Sequence, residues 1–173
     1  NQRGRMNYLI ADSGGTKTSW MFVDEEGRRN LTETPGINPV RDHETEITRR
    51  LKTLKLPARA TRGELRIFFY GAGCLPPYSL QMVSLLARRF PMAGITVSTD
   101  LLGAAQALCG NREGIACILG TGSNSGLYDG QSIVRNVSPL GYILGDEGSG
   151  AVLGRNLIGD LLKGQMSATL YQS

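Results

Sequence analysis

Short apolar runs broken by glycine-rich turns organise this chain. Tyr8–Ala11 and Trp20–Asp24 have strand length, flank a Gly/Ser/Thr turn and read as a β-hairpin whose first strand ends at Asp12. Arg29–Glu33 fits a third strand. Ile47, Leu51 and Leu54 recur at helical spacing behind Asp42, the predicted N-cap. Leu65–Tyr70 predicts a buried strand bounded by Gly71-Ala72-Gly73. Pro76 and Pro77 then open a helix with Leu80, Val83, Ala87 and Phe90 on one face. Ile95, Val97 and Thr99 alternate as a strand that ends at Asp100, and residues 101–109 form a small-residue helix suited to close packing. The predicted order is βββαβαβα, an α/β arrangement.

After Gly110-Asn111 the hairpin pattern restarts. Ile115–Leu119, Ser125–Tyr128 and Ile133–Val137 predict three strands, followed by a helix starting near Ser149. Two hairpins of one kind suggest a duplicated architecture. A full second copy needs more helix and strand than the remaining residues supply. The expectation is therefore a first domain over residues 6–110, the start of a second over 111–173, and a chain that is the front part of a longer protein. The polar Asn1–Arg5 segment precedes Met6, reads as an expression scar and is left out of the fold.

Composition narrows the class. Of 173 residues, 40% are apolar, enough for a core. No apolar run approaches the roughly 18–20 residues needed to span a bilayer. No membrane association and no secretory signal is read, so a cytoplasmic protein is expected. Cys74, Cys109 and Cys117 are an odd number without C-x-x-C spacing and read as buried, reduced thiols. The net charge of +4 comes from scattered residues and pairs such as Arg28-Arg29, Arg49-Arg50 and Arg88-Arg89. Basic runs interleaved with aromatics are lacking, so nucleic acid is not an expected partner.

The two turns hold the candidate chemistry. Asp12-Ser13-Gly14-Gly15-Thr16-Lys17 fills the first and Gly120-Thr121-Gly122-Ser123-Asn124-Ser125 the second. Glycines let backbone N–H groups approach an anion with no Cβ in the way. The hydroxyls of Thr16, Thr18, Thr121, Ser123 and Ser125 add donors. Each residue also has an ordinary reading. Asp12 can be a turn residue, Lys17 a solvated lysine, Asn38 a turn residue and Asp100 a helix N-cap. Gly120–Asn124 can be a plain hairpin turn, and Gly145-Asp146-Glu147-Gly148-Ser149-Gly150 a glycine-rich helix start. His43 reads as a surface residue and Trp20 as core.

Taken in order, DSGGTKT, the Asp100 of STD, LGTGSNS and LGDEGSG resemble the N-acetylglucosamine kinases and the wider BadF/BadG/BcrA/BcrD ATPase-type family. Both lie in the actin, hexokinase and heat-shock-70 ATPase superfamily. The resemblance covers roughly residues 7–163. It implies an RNase H-like domain, followed by part of a second, that phosphorylates N-acetylglucosamine or a related amino sugar with ATP and Mg²⁺. Asp12 would hold Mg²⁺ through water, with Gly14, Gly15, Thr16 and Lys17 along the phosphates. Gly120, Thr121 and Gly122 would approach ATP. Ser123, Asn124, Asn38, Gly145 and Asp146 would reach the sugar bound between the domains, and Asp100 would be the general base. A homodimer is the assembly to expect. Two departures loosen the sugar assignment. Gly71-Ala72-Gly73-Cys74 lacks a serine found near there in these kinases, and Leu140 stands where a tryptophan often sits. The adenosine-binding segment is missing. Two rivals remain: an ATPase activator coupled to electron transfer, which would need cysteines such as Cys109 and Cys117 at the domain junction to share an iron–sulfur cluster between subunits, and a sugar-binding sensor without turnover.

Overall fold

The computed structural model describes residues 6–61, 63–137, 139–167 and 169; the Asn1–Arg5 segment lies outside the described residues. The chain divides into two compact units, with the division between Gly103 and Ala104. That point falls inside a helix rather than at the expected Gly110 boundary.

The first unit holds β1 (Met6–Ser13), β2 (Lys17–Val23), β3 (Arg29–Pro35), α1 (Glu44–Thr53), β4 (Glu64–Gly71), α2 (Tyr78–Arg89), β5 (Gly94–Thr99) and the start of α3 (Asp100–Cys109). A single 3₁₀ turn at Ala58–Thr61 leads into β4. The sheet order is β3-β2-β1-β4-β5. β1 pairs antiparallel with β2 and parallel with β4, which places Ala11 beside both Trp20 and Phe69. β4 and β5 run parallel, so β1, β4 and β5 end together at Ser13, Gly71 and Thr99. Loops that follow such parallel strand ends are the usual ligand side of an α/β sheet.

Alternation along β1 buries Leu9, Ala11 and Ser13 and leaves Tyr8, Ile10 and Asp12 on the other face. The buried face packs Trp20, Phe22, Ile67 and Phe69 against Ile47 and Leu51 of α1 and Met82, Leu85 and Leu86 of α2. Trp20 is fully buried, lies 5.8 Å from the Phe69 ring and donates its indole N–H to Thr34 Oγ1 at 2.9 Å.

Two helix details differ from expectation. His43, not Asp42, caps α1, and its Nδ1 accepts the Thr45 N–H at 3.4 Å. Asp42 is taken instead by the Asn38 N–H and by Arg50. On α2 the buried stripe is Met82, Leu85 and Leu86, while Leu80 is 66% exposed. Apolar residues fill so broad an arc of this helix that two stripes fit the sequence. The small-residue helix packs closely as expected: a Cβ on Gly103 would lie 2.7 Å from the Tyr70 ring.

The second unit contains the rest of α3 and an antiparallel sheet ordered β6-β7-β8, from β6 (Gly114–Leu119), β7 (Ser123–Tyr128) and β8 (Ile133–Val137). It repeats the β1-β2-β3 meander, again with a glycine turn in its first hairpin. A short helix, α4 (Gly141–Leu144), not foreseen from the sequence, precedes α5 (Gly150–Leu162). Tyr128 is buried and donates its hydroxyl to Gly110 O at 3.0 Å. The cysteines are free thiols. Cys74 is buried as expected, but Cys109 is half-buried and Cys117 exposed, because Cys117 alternates with buried Ala116 along β6. No helix among the described residues is long and apolar enough to cross a membrane.

Candidate functional site

Three loops of the first unit meet around the turn at residues 12–17. Gly36 donates its N–H to Thr16 O at 3.0 Å, and a Cβ on Gly36 would come 2.4 Å from Gly14 O. Ser13 Oγ donates to Ile37 O at 2.9 Å and accepts the Ile37 N–H at 3.0 Å. Thr18, expected among the phosphate donors, is fully buried and bonded to Ser13 Oγ at 2.6 Å. Its hydroxyl therefore holds the hairpin to the 35–38 loop. On the other side, Gly73 sits in the left-handed region at φ +76°, where a Cβ would meet Val40 and Asn38 Oδ1.

The turn itself is open. A Cβ on Gly14 would find only Lys17 O, at 3.8 Å, and one on Gly15 only Arg41 Nη2, at 3.1 Å. Neither glycine has a left-handed φ. No left-handed φ and no backbone clash requires glycine at either position, and a side chain there would narrow the approach to the turn. Lys17 is engaged across the sheet by Glu33 at 2.5 Å. Asn38 uses Oδ1 to accept the Val40 N–H at 3.0 Å, which leaves its amide NH₂ without a partner among the described residues.

Asp12 and Asp100 face each other electrostatically at the ends of β1 and β5. Burial, then the Asp12 charge, pushes the Asp100 carboxyl above its ordinary range, against the stabilising Leu101 N–H. That N–H reaches Asp100 Oδ1 at 2.9 Å. The capping role falls to Thr99, whose Oγ1 accepts the Leu102 N–H at 3.2 Å. Thr99 thus holds the helix start while the second oxygen of Asp100 has no hydrogen-bond partner among the described residues, a signal present in the sequence as Thr99-Asp100-Leu101-Leu102. Asp12 is exposed and has no hydrogen-bond or ion-pair partner among the described residues. Below the pair, burial and then the Asp100 charge push the Cys74 thiol up to about 12.

In the second unit the Gly120–Ser123 turn is docked onto the start of α5. Gly150 donates its N–H to Gly120 O at 2.8 Å, and Gly120 donates to Gly122 O at 2.8 Å. Ser149 caps α5, with its Oγ accepting the Val152 N–H at 3.2 Å. Asp146 is 8% exposed, and its Oδ1 accepts the Ser123 N–H at 3.2 Å. A Cβ on Gly122 would crowd that carboxylate at 3.1 Å. Asp146 has a left-handed φ of 60°, an uncommon conformation for a non-glycine residue. Gly145 is fixed by packing, since a Cβ there would lie 2.1 Å from Pro139 O. Asn124 Oδ1 accepts from Asn136 Nδ2 at 2.7 Å. Gly120 has open space where a Cβ would point, and exposed Thr121 keeps its hydroxyl without a partner among the described residues.

Asp12, Gly14, Gly15, Thr16, Lys17, Asn38 and Asp100 are thus gathered at one end of the first unit's sheet. Gly120, Thr121, Gly122, Ser123, Asn124, Gly145 and Asp146 lie around the turn and helix start of the second. Among the described residues no group of three or more His, Cys, Asp or Glu side chains is placed to hold a metal ion. A Mg²⁺ bound with nucleotide phosphates needs only one or two carboxylates and keeps several waters. The free Asp12 carboxylate near Asp100 fits that donor set.

No family model matches the chain, and no curated protein matches it. Solved structures do. A candidate N-acetylglucosamine kinase from Porphyromonas gingivalis is 52% identical over 93% of this chain and 58% of its own, with a TM-score of 0.87. A candidate N-acetylglucosamine kinase from Chromobacterium violaceum matches with 22% identity over 93% of this chain and 59% of its own, at a TM-score of 0.66. The ethanolamine utilization protein EutJ from Carboxydothermus hydrogenoformans matches with 15% identity over 76% of this chain and 50% of its own, at a TM-score of 0.50. The latter two share the fold, which is the actin-like ATPase fold. The chain spans less than two thirds of the length of each of these proteins.

Proposed function

We propose that this N-acetylglucosamine kinase-like chain, of the actin-like ATPase fold, is part of an enzyme that transfers a phosphoryl group from ATP to a hydroxyl of an amino sugar such as N-acetylglucosamine. The observation that carries the reading is the Asp12–Asp100 pair beside a glycine turn whose backbone is open to an anion. The 52% identity to a candidate kinase supports the substrate class.

In this reading Asp100 accepts the proton of the attacking hydroxyl. Burial raises its proton affinity, and Thr99 frees it from capping duty. Gly15 presents its backbone N–H to phosphate oxygens, with the Thr16 hydroxyl as a further donor; Gly14, whose own N–H is donated to Lys17 O at 3.0 Å, leaves room for the phosphate to approach. Lys17, held by Glu33, contributes positive charge beside the turn rather than a free side-chain contact. Mg²⁺, when bound, neutralises charge between phosphate oxygens, and Asp12 would hold it through water. Asn38 offers its amide NH₂ to a sugar oxygen. By the resemblance, Gly120, Thr121 and Gly122 of the second unit would serve the nucleotide phosphates, and Ser123, Asn124, Gly145 and Asp146 the sugar. Asp146 then has two tasks, since one oxygen already fixes the turn.

The test uses the full-length protein with Mg·ATP and a panel of amino sugars, read by mass spectrometry for sugar phosphate. Phosphorylated N-acetylglucosamine or a close relative is expected. ATP hydrolysis with no sugar product overturns the reading.

A further inference from the structure

We propose that Arg41 is a phosphate-binding residue of the first glycine turn, pairing its guanidinium with the terminal phosphate oxygens of the nucleotide; this rests on the kinase reading above. Three observations converge on it. The first is place: Arg41 Nη2 lies 3.1 Å from where a Gly15 Cβ would stand, so the guanidinium lies over the open glycine backbone. The second is charge. The other cations of this region are spoken for: Lys17 by Glu33 at 2.5 Å, and Arg50 by Asp42 at 2.9 Å and Glu46 at 2.8 Å. Arg41 is exposed and has no carboxylate partner among the described residues. The third is rigidity. Its backbone N–H donates to Asn38 O at 3.0 Å, and the Asp42 N–H donates to the same oxygen at 2.8 Å. Asn38 Oδ1 holds Val40 and Asp42 holds Arg50, so the loop is ordered before any ligand arrives.

An unpaired guanidinium on a fixed loop above a glycine turn suits an oxyanion. Its planar fork matches two phosphate oxygens at once, with charge-assisted hydrogen bonds. A carboxylate on a sugar would offer the same chemistry. Position over Gly15, inside the turn assigned to phosphates, favours the nucleotide. Arg41 thereby takes the cationic role that the sequence suggested for Lys17.

The experiment compares wild type, Arg41→Ala, Arg41→Lys and Gly15→Ala in the full-length protein. Calorimetry measures the affinity for Mg·ADP and for a non-hydrolysable Mg·ATP analogue, and steady-state kinetics gives KM for ATP and for sugar. Arg41→Ala is expected to lose about 10- to 100-fold in affinity for the ATP analogue, the range of a hydrogen bond to a charged group. Its KM for sugar and its melting temperature stay unchanged, because the side chain has no hydrogen-bond or ion-pair partner among the described residues. Arg41→Lys recovers part of the affinity. Gly15→Ala displaces the guanidinium and weakens nucleotide binding in the same direction. Wild-type nucleotide affinity in Arg41→Ala overturns the proposal, and so does a defect confined to the KM for sugar. A wild-type protein that binds no nucleotide defeats the kinase reading itself, a result distinct from either.

Discussion

Asp100 is useful to catalysis because it is costly to the fold. Burial raises its pKa above that of the unfolded chain, so ionising it destabilises the native state. The cost is absent below the ordinary aspartate pKa and is fully present once the pH exceeds the folded value. Asp100→Asn removes it. The variant is expected to melt at a higher temperature than wild type at pH 7, with the gap closing near pH 3, while kcat falls by about 10²- to 10⁴-fold. Calorimetric melts at both pH values and a kinase assay check this. A lower melting temperature at neutral pH would contradict the desolvation argument, and undiminished kcat would remove Asp100 as the base. The acid limb of the wild-type rate profile should likewise lie above the usual carboxylate range. Cys74, below the pair, has its thiol pushed up to about 12 by burial. Native protein at pH 8 should therefore leave Cys74 unmodified by iodoacetamide, and denaturation should expose it to labelling, as peptide mass spectrometry can read.

At the scale of turns and helices, glycines of one appearance do two different jobs. Gly36 is required by packing, because its Cβ would press to 2.4 Å from Gly14 O and 2.9 Å from Lys17 N. Gly36→Ala is expected to cost about 1–3 kcal/mol of stability, the usual range for forced overpacking. Gly14→Ala meets only an ordinary contact at 3.8 Å and should leave the denaturation midpoint nearly unchanged while it weakens nucleotide binding. Urea titrations of the pair decide the matter: equal destabilisation would mean that Gly14 also serves the fold. This distinction explains what could be read from the sequence. Strands β1 to β8 and the order of the first unit were legible because alternation and helical spacing report burial directly. The position of the turns was legible because Gly, Ser and Thr mark them. The division of labour within the turns was not. Whether Thr18 faces a phosphate or Ser13 depends on a loop that returns from β3, and whether Asp100 caps its helix depends on Thr99 taking that role first. Arg41 carries no local motif at all, since its relation to Gly15 exists only after the 36–42 loop folds back.

Across the 173-residue chain, apolar burial is uneven. The first unit's core runs through Leu9, Trp20, Phe22, Ile47, Ile67, Phe69, Met82 and Leu86. Among the described residues of the second unit the buried apolar ones are Ala105, Ala116 and Tyr128. There Ile115 and Leu119 of β6 are 72% and 70% exposed, and Leu153 and Leu157 of α5 are 61% and 56% exposed. At about 25 cal/mol per Å² of apolar surface removed from water, so small a core supplies little resistance to local opening. The β6-β7-β8 sheet then rests mainly on its backbone ladders and on the Gly120–Gly150 and Tyr128–Gly110 hydrogen bonds. Native-state hydrogen exchange on the 173-residue chain should therefore separate the units. Ladder amides of β1 and β4, such as those of Leu9 and Phe69, should exchange only through opening of the whole first unit. Those of Ala116 and Leu127 should exchange at least about tenfold faster, a difference of about 1.4 kcal/mol in opening free energy. Ser149→Ala, which removes the cap of α5, should widen the gap by about 1 kcal/mol. Equal protection in β1 and β6 would overturn the argument that so small an apolar core lets the second unit open more readily than the first.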